Sequence, residues 1–252
     1  MTRKKGIDLS KWQLWWRMVS GVIVPDFAIL RAGYAMMPDK LFDTFYQAGI
    51  DKGVDLGAYH YFSSGAPWRD QLAFFLKQVK GKKIKKYALD IETAYNNMSK
   101  DFALSAVKWI HGAQDATGIE TVLYTNPYTY KDHLRRYTPA VDDFKLWIAQ
   151  YPDGKWTAFT QKLRETMNGK PWLKPTGRHE DDWWAWQYTK SAPGHEYGVG
   201  SKTVDANILN GDQTFVSDDL PDDPLPTPEE IAPLLYSAEL GDYLVELRAK
   251  KI

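Results

Sequence analysis

Apolar runs of a few residues recur along the chain, most of them followed by a turn and then by a stretch with helical spacing. The runs predict strands at Gly6–Leu9, Phe27–Ala32, Leu56–Phe62, Tyr87–Ile91, Thr121–Thr125, Leu146–Ala149, Trp184–Tyr188 and Val204–Ala206. Recurrence of apolar residues three and four apart predicts helices at Leu41–Lys52, Arg69–Val79, Phe102–Thr117 and Tyr128–Tyr137. Asp101 is placed to cap the third of these, and Gly118 to end it. Eight strands alternating with helices point to an α/β fold, a (β/α)-barrel of TIM type.

The alternation fades after Leu146. Residues 151–182 are rich in Gly, Pro, Trp and charge, with room for a modest helix near Phe159–Met167. The expected barrel is therefore irregular, its later helices shortened or missing. SDDLPDDPLPTPEE, residues 217–230, reads as an acidic, Pro-rich linker. Beyond it Ile231–Ile252 reads as one amphipathic helix carrying Leu234, Leu235, Leu240, Leu244 and Leu247. The division is thus a barrel domain over 1–216, a linker over 217–230 and a C-terminal helix over 231–252. At roughly 22 residues that helix is too short to stand alone. It is expected to pack on the barrel or on a second copy, which makes a homo-oligomer one candidate state.

Composition narrows the function. Lys+Arg and Asp+Glu both total 32 in 252 residues, so no net charge draws the chain toward nucleic acid or an anionic membrane. No run reaches the roughly 18 apolar residues of a membrane span. With zero cysteines, thiol catalysis, disulfides and zinc–thiolate sites are excluded. The basic start MTRKKGID is not followed by an apolar stretch, so no secretory signal is expected and synthesis is placed in the cytoplasm. Aromatics are dense, with 11 Trp and 15 Tyr, and such rings either fill cores or make platforms for sugar faces.

Candidate chemistry begins at KYALDIET, residues 86–93, where Asp90 and Glu92 stand two positions apart as an apolar run ends. Strand residues i and i+2 share a face, so Ala88, Asp90 and Glu92 point one way and Tyr87, Leu89 and Ile91 the other. In a barrel the apolar set packs on helices and the acids point inward at the catalytic rim. Two acids this close repel when both are ionised, which raises one pKa and suits it to general-acid work on a glycoside. The plainer alternative is that either acid caps a following helix; a metal site is a third. Asp8 in GIDLSKWQ and Asp205 in VDAN end neighbouring strands, so four acids can ring one pocket. Tyr61, Tyr124, Tyr151 and Gln187 also fall at or just after strand ends.

Smaller features read more quietly. Helical spacing assigns two of Trp12, Trp15 and Trp16 to the core and leaves one near the groove mouth. KGKKIKK, residues 80–86, reads as a solvated connection, and His60 as a hydrogen-bonded core histidine. No His/Asp/Glu set has metal-ligand spacing, and no cofactor is called for.

Taken in order, GIDLSKWQ, FAILRAGY, GAYHYF, YALDIE, VLYTNPYTY, LWIAQY, WAWQYT and VDAN resemble the glycoside hydrolase family 25 lysozymes, the Chalaropsis-type N-acetylmuramidases. These blocks run from Gly6 to about Asn207. The resemblance implies an irregular (β/α)-barrel and hydrolysis of the β-1,4 bond after N-acetylmuramic acid, with bacterial peptidoglycan as substrate. It implies Glu92 as general acid, Asp90 as its partner, and Asp8 and Asp205 as further acids of the site. Tyr61, Tyr124 and Gln187 would line the groove, and Tyr151 joins them as a substrate-binding candidate from its place just after a strand end. Arg31 is implied as either a saccharide contact or a salt-bridge partner of the acids.

For the second chemical step the resemblance leaves two routes. In one an Asp is the nucleophile or the stabiliser of an oxocarbenium ion. In the other the substrate's own 2-acetamido oxygen attacks while Asp90 orients it, and the i, i+2 spacing favours this route. Family 18 chitinases carry a related D-x-x-D-x-D-x-E, but Lys85 and Ala88 stand where that motif has upstream acids. The resemblance points to a bacteriophage endolysin or bacterial autolysin that reaches the wall after holin-type release, lysis or non-classical export. A catalytically silent peptidoglycan-binding module is the competing reading, and the four acids speak against it.

Overall fold

The computed structural model describes residues 3–92, 98–152, 170–211, 213 and 215. The expected helices near Phe159–Met167 and over 231–252, and the linker 217–230, lie outside the described residues. Within them the strands are β1 (Lys5–Leu9), β2 (Phe27–Tyr34), β3 (Met37–Pro38), β4 (Asp55–Tyr61), β5 (Lys86–Asp90), β6 (Thr121–Thr125), β7 (Leu146–Ala149), β8 (Ala185–Pro193) and β9 (Thr203–Leu209). The helices are α1 (Phe42–Asp51), α2 (Trp68–Val79) and α3 (Lys100–Thr117).

Eight of the strands close a ring in the order β1, β2, β4, β5, β6, β7, β8, β9, with β9 returning to β1. β1 through β8 pair in parallel around the ring, whereas β9 is antiparallel to both of its neighbours. β3, which the apolar pattern does not announce, is a two-residue hairpin return against the end of β2.

Alternation along each strand builds two cores. Outward residues such as Ile7, Leu30, Leu56, Leu89, Leu123, Ile148, Trp186 and Ile208 join the layer beneath the helices. Inward residues Phe27, Ile29, Tyr59, Ala88, Val122, Trp147, Ala185 and Leu209 fill the barrel. The floor is plugged by Phe215, stacked on Phe27 at 4.9 Å between centroids. Gly6 is required beside this plug, since a Cβ there would meet the Phe27 ring at 2.3 Å.

The helices follow their amphipathic patterns, with two corrections. α3 is capped by Ser99, whose Oγ accepts from the Phe102 N–H at 3.1 Å, rather than by Asp101, which sits inside the first turn. Gly118 ends it in the left-handed conformation, φ +69°, as expected of a residue without a Cβ. The segment expected as a helix over Tyr128–Tyr137 is one α-turn, Pro127–Thr129, continuing into a π-helix, Tyr130–Arg135. Asn126 starts it by accepting from the N–H groups of Tyr128 and Thr129. After this the helical layer thins to short 3₁₀ turns among the described residues.

Two quieter expectations are also settled by position. His60 faces outward, stacked on Trp109 at 5.6 Å with Nε2 3.2 Å from Gln71 Oε1, and burial lowers its pKa to about 4. It is a core histidine. The basic run is not simply solvated: Lys86 is buried as the first residue of β5 and pairs with Glu120, while Lys85 pairs with Asp55.

Candidate active site

The inward face that is apolar at the barrel floor becomes acidic at the rim. On β1 Gly6 gives way to Asp8, and on β5 Ala88 gives way to Asp90, with Glu92 two residues past the strand end. Tyr87, Leu89 and Ile91 on the opposite face are fully buried under the helices, so alternation forces Asp90 and Glu92 toward the interior. Asp205 arrives by a different route from the one its strand order suggests. It lies near the start of β9, and because β9 runs antiparallel, that start is at the rim where the parallel strands end. Asp205 is paired in register with Asp8.

The four acids line one open cleft of about 490 Å³ together with Arg31, Tyr61, Tyr124, Tyr151 and Lys190. Gln187 is not on the cleft wall but directly beneath it, 1% exposed. Its Nε2 donates to Asp8 Oδ2 at 2.8 Å, and its Oε1 accepts from the hydroxyls of Tyr124, at 2.9 Å, and Tyr151. Asn207 Nδ2 donates to the same Asp8 oxygen at 2.9 Å, and Trp147 Nε1 donates to Asn207 Oδ1 at 2.7 Å.

Burial dominates the electrostatics. Asp90 is held well above the ordinary carboxylate range, first by desolvation and then by the charges of Glu92 and Asp8. Its Oδ1 is buried with no hydrogen-bond partner among the described residues. Glu92 is exposed at the cleft mouth, and the partial desolvation there still raises its pKa, partly offset by the Tyr124 hydroxyl and the Lys190 charge. Asp205 is pushed up to about 8 by burial and by Asp8 and Glu92, and its carboxyl hydrogen-bonds that of Asp8. Asp8 itself rises only to about 6, because Asn207 and Gln187 donate to it. The cleft therefore holds protons on carboxyls near neutral pH, which is what a general acid needs.

Arg31 is in an ion pair, though not with these acids. Its Nε and Nη2 both lie 2.8 Å from Oδ2 of Asp39, a buried residue that the sequence reading passed over. Of Trp12, Trp15 and Trp16 only Trp16 is core; Trp12 and Trp15 are exposed, and Trp12 lines the cleft. The Trp12 turn is held by the Ser10 N–H donating to Gln13 Oε1 at 2.8 Å. Lys190, Asn207, Tyr59 and Trp147 are further site residues that sequence reasoning missed. Period-two spacing from Asp205 points to Asn207, but nothing local marks Lys190. Among the described residues no group of three acidic or histidine side chains is arranged to hold a metal ion.

A model of the glycosyl hydrolases family 25 matches residues 7–196. The chain belongs to glycosyl hydrolase family 25. It is a glycoside hydrolase. Among its relatives, the uncharacterized protein YegX of Escherichia coli O157:H7 is 26% identical over 214 residues, covering 82% of this chain and 69% of that protein. The autolytic lysozyme of Clostridium acetobutylicum is 30% identical over 138 residues, 52% of this chain and 41% of that protein. The catalytic domain of endolysin ply40 from bacteriophage P40 of Listeria monocytogenes shares the fold with TM-score 0.63 at 20% identity, over 84% of this chain and 95% of that one. The lysozyme from Streptomyces coelicolor does so with TM-score 0.61 at 23% identity, over 84% and 94%. This family 25 barrel carries its acids on inward strand positions at one rim, as the fold requires of groups that must reach a bound substrate.

Proposed function

We propose that this family 25 hydrolase is an N-acetylmuramidase, cleaving the β-1,4 bond between N-acetylmuramic acid and N-acetylglucosamine in bacterial peptidoglycan. The observation that carries the reading is the Asp90–Glu92 pair. The end of β5 and the residues just past it present two carboxyls to an open cleft, and desolvation, nearly complete at Asp90 and partial at Glu92, raises both above their ordinary range. The autolytic lysozyme among the relatives supports the substrate class.

Glu92, at the cleft wall, gives its proton to the glycosidic oxygen as the C1–O bond breaks. The 2-acetamido oxygen attacks C1, forming an oxazolinium ion, and water then adds at C1 while the Glu92 carboxylate takes a proton back. Asp90 lines the cleft and its Oδ1 has no donor among the described residues, which suits it to receive the acetamido N–H and hold that group in line. A nucleophile needs an ionised, accessible oxygen, and the burial of Asp90 works against that role. Asp8 and Asp205 act through field and position from the opposite side of the cleft.

Digestion of purified peptidoglycan tests the reading. New reducing ends should be N-acetylmuramic acid, with little release from chitin. Glu92→Gln should lower turnover by about 10²–10⁴-fold in a protein that still melts normally. Asp90→Asn should be severe as well, and Asp8→Asn and Asp205→Asn milder. Reducing N-acetylglucosamine ends would overturn the bond assignment. Near-normal hydrolysis by the Glu92→Gln protein would remove Glu92 from the chemistry.

A further inference from the structure

The hydrogen bonds under the cleft can be counted proton by proton, and the count leaves the Tyr124 proton two places, Gln187 or Glu92. Asp8 accepts from Gln187 Nε2 at 2.8 Å, so the Gln187 amide is oriented with its nitrogen toward β1 and its oxygen toward β6 and β7. An amide oxygen can only accept. The Tyr124 hydroxyl lies 2.9 Å from that oxygen and 3.1 Å from Glu92 Oε1, and it has one proton. Tyr151 also donates to Gln187 Oε1. When Tyr124 gives its proton to Gln187, its remaining contact with Glu92 is satisfied only if Glu92 is the donor. The contact to Gln187 is the shorter of the two, and with the Tyr124 proton placed there the polarity runs from Glu92 to Tyr124 to Gln187 to Asp8; the reverse placement, Tyr124 donating to Glu92 with Tyr151 alone on Gln187, is the alternative that the test must exclude.

Resting on the muramidase reading, we infer that Gln187 is a positioning residue that, through Tyr124, keeps the proton on Glu92 until a glycosidic oxygen takes it. Both links are buried, Tyr124 at 5% and Gln187 at 1% exposure, so water does not offer Tyr124 an easy substitute acceptor. Once Glu92 has lost its proton, the Tyr124 hydroxyl turns from Gln187 to the carboxylate. Oε1 of Gln187 then keeps Tyr151 alone. The relay resists ionisation of Glu92 in the resting enzyme and supports it after proton transfer.

Other groups also act on Glu92. Asp90 faces it from its own segment, Asp8 from β1, Asp205 from β9 and Lys190 from β8, with the Tyr61 and Tyr151 hydroxyls beside them. Arg31 on β2 is committed to Asp39. Replacing Gln187 also removes a donor from Asp8, which by itself alters the field at Glu92, so the test must separate the two paths.

The experiment is a double-mutant cycle read by carbon NMR titration of the Glu92 carboxyl, its signal assigned by its loss in Glu92→Gln. In Gln187→Met, Tyr124 is free to donate to ionised Glu92, so the Glu92 midpoint and the alkaline limb of kcat/KM should both move to lower pH. Adding Tyr124→Phe removes the donor, and the step caused by Gln187→Met should then shrink to whatever passes through Asp8. Equal steps in the two backgrounds would overturn the relay. Neutron diffraction on unsubstituted protein near neutral pH supplies a second reading should the variants not fold. One deuteron is expected between Tyr124 and Gln187 and another on Glu92 facing Tyr124. A Tyr124 deuteron pointing at Glu92 overturns the proposal. These readouts concern proton positions, so they stand apart from the muramidase test: Glu92 can fail as the catalyst while the relay holds, and the reverse.

Discussion

Lys190 is the cation of the cleft without a carboxylate in salt-bridge range among the described residues, and its ring contact is Tyr151 at 5.7 Å. Its charge lowers the pKa of both Glu92 and Asp205, against the burial that raises them. Lys190→Met should therefore raise both. A general acid works while protonated, so activity is lost as pH rises through its pKa, and the alkaline limb of kcat/KM should move to higher pH. This is opposite to the shift expected from Gln187→Met. An unmoved limb would mean that Lys190 lies too far from Glu92 to matter. Whether a single residue of the site was readable depended on its strand. Asp8, Asp90 and Glu92 follow period-two alternation and were placed from sequence. Lys190 was not, because β8 shifts register between Gln187 and Thr189 and again before Ala192. Such bulges re-aim side chains, and no composition signal marks them. Asp39 escaped for a similar reason: it follows a two-residue strand too short to show a pattern.

At the scale of elements, apolar runs bounded by turns located all eight barrel strands, because a strand buried on both faces must be apolar nearly throughout. Direction is another matter. Val204–Ala206 reads the same in either sense, and only the pairing with β1 and β8 shows that β9 runs backward. The helix after β6 was readable as apolar spacing, but not as a π-helix, since the winding depends on packing that spacing does not encode. Capping offers a check of finer grain. Sequence spacing favours Asp101 as the cap of α3, yet the extended backbone of Ser99, two residues earlier, and the bond it accepts from the Phe102 N–H make Ser99 the cap. Ser99→Ala should cost about 1 kcal/mol, lowering Tm by about 2–4 °C for a domain of this size. Asp101→Ala should change Tm less. A larger loss at Asp101 would return the cap to the residue that the sequence suggested.

For the whole molecule, gathering four acids under one roof should make stability fall where activity needs their charges. Asp205 has an ordinary value of 3.8 and a folded value of about 8. A carboxyl that binds its proton more tightly when folded contributes stability that is fully present below its unfolded pKa. That contribution is lost progressively as pH rises toward the folded value. Above about pH 8 the folded barrel must hold Asp205 ionised beside Asp8 and Glu92. Asparagine resembles the protonated acid, since its amide can still donate to Asp8 but cannot ionise. Asp205→Asn should thus melt close to the parent protein at pH 4. It should melt progressively higher than the parent from pH 5 to pH 9, with a difference on the order of a few kcal/mol at the alkaline end. Hydrolysis by the same variant should decline, so the substitution trades turnover for stability. Calorimetry across that pH range decides the matter. A stability difference that does not grow with pH would show that Asp205 is ionised in the folded protein throughout, and that the acids share the cleft without raising one another.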